Sequence, residues 1–292
     1  MEDLLSALRQ RAIIGDGPMG TMLFSRLGSR YETVEEFSLR DPDEVVRLHR
    51  DYVEAGSQWL GTSTFSANRV RLGHSDLLPQ LEEVNRVGVE LARRAAGERA
   101  WVVGKLGPTG KLLEPLGDLS PGEASDAYAE QAEILARAGA DALALETMGD
   151  LAEVGLALEA MRRVADVPVV VSYSFDANLR TLMGVTPEQA LTAALEGGAD
   201  VVGTNCGVGP DEVEQAIEQM IALAPDALLL AEANAGLPHV DGDQAVHPVG
   251  PERFAAYAGE VARLGARVIS ACCGATTAHI QAMAERLAGQ SQ

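Results

Sequence analysis

Short apolar runs alternate with longer amphipathic segments along the whole chain. Eight runs of four to six residues have the length and the apolar composition of buried strands; they lie at 12–15, 58–62, 101–105, 142–145, 168–173, 201–204, 227–231 and 267–271. The segments between them have helical periodicity, and in 211–224 the apolar residues recur at positions 213, 216, 217, 220, 221 and 224. One apolar face at this spacing is typical of a helix that packs on a sheet. The pattern predicts eight strand–helix units.

Four glycines mark a repeated motif at the start of a strand. Gly56, Gly139, Gly198 and Gly265 each follow a helical segment and precede an apolar run, as a glycine that ends a helix does. Seven and eight residues further on lie four polar or sulfur-bearing pairs: Ser63 and Thr64, Glu146 and Thr147, Asn205 and Cys206, and Cys272 and Cys273. The repeat predicts the α/β class and a (β/α)8 TIM barrel, a single domain over residues 1–292. The pairs then lie at the carboxyl ends of strands, where barrel enzymes carry their active sites.

Charge and composition narrow the range of partners. The formal net charge is −20, and nucleic acids and anionic membranes both require basic surfaces, so neither is expected as a partner. No apolar run reaches the roughly 18 residues that span a bilayer. The first residues carry early acids and no signal-peptide core. We therefore expect a cytoplasmic protein with reduced thiols.

All of the chain's cysteines, Cys206, Cys272 and Cys273, lie at the strand-end position of the repeat. A single free cysteine is most often a small buried apolar side chain, but three at one end of a barrel favour a shared metal site. Strands six and eight have one strand between them, so their ends lie about 10 Å apart. Adjacent residues of a strand face opposite sides, so Cys272 and Cys273 reach one ion only if the backbone bends, which Gly207 and Gly274 permit. Three thiolates suit zinc, and a catalytic zinc keeps its fourth position open.

A glycine motif follows the first strand. Residues 15–20, Gly-Asp-Gly-Pro-Met-Gly, match the G-x-G-x-x-G pattern of dinucleotide-binding loops. Such loops also need a carboxylate near the end of the second strand, and residues 62–65, Thr-Ser-Thr-Phe, contain none. We therefore interpret the motif as a tight loop whose backbone approaches a small ligand, with Asp16 as a candidate for binding a substrate ammonium group.

Three other polar residues follow buried strands. Glu146 is costly to bury unless it is paired or solvated, so it is either a structural ion pair or part of the active site. Asn205 and Asn234 lie at strand ends, where they either bind substrate or satisfy the backbone of a loop.

Taken together, these motifs resemble the homocysteine S-methyltransferases, a family that includes the homocysteine-binding barrel of cobalamin-dependent methionine synthase and the betaine- and S-methylmethionine-dependent enzymes. The matching stretches lie in the family's order at 16–21 (Asp-Gly-Pro-Met-Gly-Thr), 62–65, 107–110 (Gly-Pro-Thr-Gly), 146–148 (Glu-Thr-Met), 203–207 (Gly-Thr-Asn-Cys-Gly), 233–238 (Ala-Asn-Ala-Gly-Leu-Pro) and 265–274. An Asn-Cys pair followed by a distant Cys-Cys-Gly is the most specific of these signals.

The resemblance implies a set of site residues. Zinc is expected on Cys206, Cys272 and Cys273, which are then the catalytic residues. Homocysteine is expected to be held through Asp16, Gly17 and Glu146, with Thr64 nearby. The sequence departs from the family pattern at Pro18, which removes a backbone donor from the loop, and at Ser63, where the methionine-synthase barrel usually has Asn.

The chemistry agrees with these residue types. A free thiol has a pKa of roughly 8.5, and a metal-coordinated thiol is deprotonated. A homocysteine thiolate on zinc would attack an activated methyl group and give methionine.

The sequence does not identify the methyl donor. S-methylmethionine, S-adenosylmethionine, betaine and methylcobalamin bound to a separate corrinoid protein are all candidates, since the chain has no Asp-x-His-x-x-Gly motif of a cobalamin-binding module. Two alternatives to the methyltransferase remain. One is a zinc hydrolase, which usually has His and carboxylate ligands. The other is a non-catalytic zinc barrel that docks a corrinoid protein.

Overall fold

The structure is a computed structural model that describes residues 2–28, 31–73, 75–241 and 244–289. The predicted domain boundaries, 1 and 292, and residues 29–30, 74, 242–243 and 290–291 lie outside the described residues. No helix within the described ranges is both long and apolar enough to cross a bilayer.

The described residues form a (β/α)8 barrel, as the sequence predicted. Eight parallel strands form one sheet: β1 Ile13–Ile14, β2 Trp59–Gly61, β3 Trp101–Leu106, β4 Ala142–Met148, β5 Val169–Tyr173, β6 Val201–Cys206, β7 Leu229–Ala233 and β10 Ala266–Ala271. Their spatial order is β1-β10-β7-β6-β5-β4-β3-β2. Each of the eight predicted runs contains or overlaps one of these strands.

Twelve α-helices within the described residues connect and cover the strands. They are α1 Leu4–Gln10, α2 Met19–Leu27, α3 Val34–Arg40, α4 Pro42–Glu54, α5 Arg69–Leu72, α6 Leu81–Ala96, α7 Pro121–Arg137, α8 Leu151–Val164, α9 Pro187–Glu196, α10 Pro210–Leu223, α11 Pro251–Leu264 and α12 Thr277–Ala288, with a short 3-10 helix at Leu78–Gln80. Two further strands, β8 His239–Asp241 and β9 Gln244–Val246, form an antiparallel hairpin after β7 that the sequence analysis did not predict.

The barrel closes between β1 and β2 with few hydrogen bonds. The amide of Gln58 donates to the carbonyl of Ile14 at 2.8 Å. Further along, the amide of Gly61 donates to Oδ2 of Asp16, also at 2.8 Å. A side chain thus takes the place of a backbone acceptor at the closing seam, and this contact fixes Asp16 at the mouth of the barrel.

The glycine repeat has the conformation that the sequence predicted. Its members all have a positive φ: Gly56 109°, Gly139 96°, Gly198 88° and Gly265 119°. Two of the repeats continue as Gly-Ala-Asp, and each of these aspartates accepts hydrogen bonds from the amide at or near the start of a neighbouring strand and from an arginine. Asp141 accepts from the amide of Val102 and from Arg93, and Asp200 accepts from the amide of Val169 and from Arg162.

We expect Asp200→Ala to lower the free energy of unfolding by about 1–3 kcal/mol, because it leaves the amide of the buried Val169 without its partner. Urea denaturation measures the change. Asp118→Ala is the matched control, since it removes an exposed ion pair with Lys111 and should cost less than about 1 kcal/mol. Equal effects of the two substitutions would contradict the role of Asp200.

Candidate active site

The inner face of the barrel changes from apolar to polar along the strands. Alternate residues of a strand face the same side, and at the amino-terminal end the inward positions are apolar. They form a cluster with α1 that includes Ile13, Trp59, Trp101, Val103, Ala144, Val170, Leu230 and Val268. Two residues further along the same faces lie polar groups: Lys105, Glu146, Ser172, Glu232 and Ser270. All five are buried or nearly so. The polar layer lies directly below the carboxyl ends of the strands.

The three cysteines meet above this layer. Their Sγ atoms all lie within 4.8 Å of one another, and those of Cys206 and Cys272 are 2.8 Å apart. Each cysteine is half-buried. Zinc–sulfur bonds of 2.3 Å in a tetrahedral site place sulfurs about 3.8 Å apart, so small side-chain adjustments would let this trio hold one zinc ion. Among the described residues, no histidine or carboxylate lies close enough to join them in a metal-binding group.

A bend of the backbone brings the sulfurs together, as the glycines predicted. Cys206 has a φ of 58°, followed by Gly207 at 69°, and Gly274 has a φ of 81°. A non-glycine residue at positive φ is strained. At Cys206 this conformation breaks the regular alternation at the end of β6, and its Sγ lies 2.8 Å from that of Cys272. A side chain at Gly274 would meet the ring of His247, since its Cβ would lie 2.0 Å from that ring.

Hydrogen bonds among the three sulfurs give the thiols different pKa values. Those from Cys206 and Cys272 lower the pKa of Cys273 to about 3. The hydrogen bond with Cys206 raises the pKa of Cys272. Among the three thiols, the cluster thus favours ionisation of Cys273, and a thiolate is the form of cysteine that ligates metal ions.

A buried charge cluster lies in the polar layer next to the sulfurs. Nζ of Lys105 is 3.1 Å from Oε1 of Glu146 and 3.8 Å from Oε1 of Glu232. Burial raises the pKa of Asp16 to about 6 and that of Glu232 to about 8. Burial alone would lower the pKa of Lys105, but the carboxylates of Glu146, Glu232 and Asp16 outweigh it and raise that pKa well above its ordinary value.

Several buried polar atoms at this end of the barrel lack a partner. Oδ1 of Asp16, Oγ of Ser63 and Oδ1 of Asn234 have no hydrogen-bond partner among the described residues. Buried polar atoms are almost always paired. Unpaired donors and acceptors grouped at strand ends are typical of a site that binds a polar ligand.

This geometry can be compared with known proteins. A model of the homocysteine S-methyltransferase family matches residues 13–287. The chain belongs to the homocysteine S-methyltransferase family. It is 33% identical to the methionine synthases of Mycobacterium tuberculosis and Mycobacterium leprae over 309 aligned residues, which cover 98% of this chain and 25% of each relative. The chain thus spans about a quarter of the length of these relatives.

Solved structures support the same fold. The homocysteine methyltransferase MmuM from Escherichia coli is similar in its oxidized form with a TM-score of 0.81 and in its metallated form with 0.80, at 22% identity. The two alignments cover 97% and 95% of this chain and 98% and 96% of those chains.

The other residues expected from the resemblance to this family have distinct positions. Gly17 lies against Tyr52, since a Cβ there would be 2.8 Å from the Tyr52 ring. The hydroxyl of Thr64 donates to the carbonyl of Lys105 at 2.8 Å. It therefore supports β3, and a contact of Thr64 with substrate stays a prediction.

The two asparagines also support the backbone. Asn205 accepts from the amide of Thr147 and donates to its hydroxyl, which holds Thr147 at a φ of 61° directly after Glu146. Nδ2 of Asn234 donates to the carbonyl of Gly207 at 2.8 Å, while its Oδ1 remains open.

Lys105 and Glu232 were missed by the sequence analysis, although the sequence contains a signal for the first of them. Lys105 lies inside an otherwise apolar strand, and the chain has only two lysines beside 21 arginines. A charged residue in a buried strand is rarely without a partner of opposite charge.

A cleft of about 960 Å³ opens where β4, β5 and β6 end. Thr147 and Gly207, which directly follow Glu146 and Cys206, form part of its wall. Its rim carries exposed apolar side chains, including Leu182 at 96% and Leu237 at 59% exposure. Its volume lies in the range of pockets that hold small-molecule ligands.

Proposed function

We propose that the protein is a zinc-dependent homocysteine S-methyltransferase that produces methionine. The observation that carries this proposal is the meeting of Cys206, Cys272 and Cys273 within 4.8 Å at the carboxyl end of a (β/α)8 barrel. Free thiols in such a cluster suit a reducing compartment, and we place the enzyme in the cytoplasm.

The three sulfurs are the zinc ligands in this proposal, and the charge cluster binds the amino acid. Zinc bound there would deprotonate the homocysteine thiol and keep its sulfur nucleophilic. Asp16 offers an unpaired Oδ1 and Glu146 a buried carboxylate, so together they bind the substrate ammonium group. Ser63 and Asn234, with their unpaired oxygens, are the candidates for the remaining polar contacts.

The methyl donor enters through the cleft. Its apolar rim favours methylcobalamin carried on a corrinoid-binding protein domain over a small free donor, because exposed leucines are better covered by a protein surface than by a sulfonium or quaternary ammonium ion. In the described part of the cleft wall, Phe175 is the one aromatic residue, and it is buried. An aromatic cage, the usual site for a quaternary ammonium ion, is therefore not present in that wall.

A donor comparison tests the proposal. The purified zinc-loaded chain is mixed with homocysteine and, in turn, with methylcobalamin, S-methylmethionine, S-adenosylmethionine and betaine, and methionine is measured by mass spectrometry. We expect methionine from methylcobalamin and much less from the other three. Methionine from a small donor alone would keep the methyltransferase and overturn the corrinoid donor. Binding of zinc without any binding of homocysteine would favour a non-catalytic zinc barrel, and hydrolysis of esters would favour a hydrolase.

A further inference from the structure

We infer that Lys105 is a positioning residue that holds the carboxylate of Glu146 in place by a direct ion pair, and that it thereby makes the site selective for thiols with an α-ammonium group. The inference deepens the proposed function and rests on it, since homocysteine is the thiol concerned. Lys105 acts through Glu146 and is not itself a contact of the reacting sulfur.

Lys105 is the counter-charge of two buried carboxylates. Within the described residues it is the only cation in a salt bridge with Glu146 or Glu232. The exposed fractions of the three side chains are 13%, 7% and 5%. A buried carboxylate is costly unless a cation lies beside it. The ion pair with Lys105 therefore stabilises the Glu146 carboxylate in its buried position, and without Lys105 that position would lose its support.

The absence of a side chain at Gly61 leaves room for the Lys105 side chain. A Cβ on Gly61 would lie 1.8 Å from Cε of Lys105, so the lysine chain passes through the position that any larger residue would fill. The amide of Gly61 also donates a hydrogen bond to Oδ2 of Asp16. The single position Gly61 on β2 thus leaves room for Lys105 and fixes Asp16, the other carboxylate in the proposed ammonium site.

The backbone of Lys105 is also held in place. Its amide donates to the hydroxyl of Thr62 at 3.0 Å, and its carbonyl accepts from Thr64 at 2.8 Å. The two threonine hydroxyls are themselves 2.6 Å apart. These bonds fix the point from which the lysine side chain extends into the mouth.

The choice of lysine is unusual for this chain, which has arginine at 21 of its 23 Lys and Arg positions. The close approach of the Lys105 side chain to Gly61 suits a linear chain with a compact ammonium group better than a planar guanidinium group. The ammonium group of Lys105 also pairs with two carboxylates on different strands, Glu146 on β4 and Glu232 on β7. An arginine in a bidentate pair would use its guanidinium group on only one of them.

The test measures selectivity by calorimetric titration of the zinc-loaded full chain. The ligands are homocysteine and 4-mercaptobutyrate, which has the same thiol and carboxylate but no ammonium group. Wild-type protein should prefer homocysteine. In Lys105→Met we expect homocysteine binding to weaken about tenfold or more, while binding of 4-mercaptobutyrate changes less than about twofold.

Four further variants separate positioning from general damage. Gly61→Ala keeps every charge but displaces the lysine, so it should lower the same selectivity, and it carries the test if Lys105→Met does not fold. The double variant Lys105→Met, Glu146→Gln should bind homocysteine about as weakly as Glu146→Gln alone, because the two residues act together. Arg137→Met removes an exposed ion pair with Glu82 and should leave both ligands unaffected.

Two results would overturn the inference alone. One is a Lys105→Met protein that keeps the wild-type preference for homocysteine, and the other is a double variant in which the two losses add. Wild-type protein that takes up zinc but binds no homocysteine would instead overturn the proposed function, and the inference with it.

Discussion

Replacement of Cys272 by serine is expected to abolish both zinc binding and methyl transfer. Cys272 directly follows β10, with its Sγ 2.8 Å from that of Cys206, and a serine hydroxyl stays protonated where a metal-bound thiol does not. We expect turnover to fall by well over about 100-fold, since even residues that only support a metal ligand cost 10- to 100-fold when changed.

Metal analysis of the dialysed variant measures the loss of zinc, and the methionine assay measures the loss of turnover. Circular dichroism serves as the control, because the barrel core lies on other residues and should keep its helical signal. Full turnover in a zinc-free Cys272→Ser protein would refute the proposed mechanism, and so would an unchanged zinc content.

Replacement of Glu146 by glutamine is expected to raise the KM for homocysteine by about 10- to 100-fold, the cost of losing a hydrogen bond between charged groups. The amide has nearly the same shape as the carboxylate but carries no charge for the substrate ammonium group. Lys105 would keep Glu232 as its partner at 3.8 Å, so the mouth should remain folded.

A change in the KM for homocysteine alone distinguishes the loss of a substrate contact from general damage to the fold. Zinc content and the KM for the methyl donor should stay close to wild type, because the sulfur cluster and the wall of the cleft are unchanged. An unchanged KM for homocysteine would remove Glu146 from the substrate site and leave it as a structural partner of Lys105.

Two residues near the ends of strands at the mouth have a strained backbone, and contacts with neighbouring residues hold them in that conformation. Thr147 and Cys206 both have positive φ, at 61° and 58°. Thr147 directly follows Glu146 of the polar layer, and Cys206 directly follows Asn205. Asn205 joins the two points, since its side chain bonds to the amide and hydroxyl of Thr147 while its own backbone precedes Cys206. Such strain persists only where surrounding contacts over-determine the conformation.

Much of this organisation was predictable from the sequence. Strand and helix periodicity depends on which side of an element is buried, and that information is local to each segment. The repeat of Gly56, Gly139, Gly198 and Gly265 set the register from which the cysteines could be placed at one end of the barrel. Gly274 similarly indicated the bend that lets Cys272 and Cys273 approach the same point.

Only the tertiary structure decided how the polar side chains pair. Lys105, Glu146 and Glu232 are far apart in sequence and meet because the barrel closes and staggers β3, β4 and β7 around one axis. Thr64 and Asn205 have the right types and positions for substrate contacts, but their hydrogen bonds to Lys105 and Thr147 depend on which neighbouring strand supplies a partner. A sequence pattern indicates which side of its own strand each residue faces. The distances between side chains across the barrel depend on how all eight strands pack.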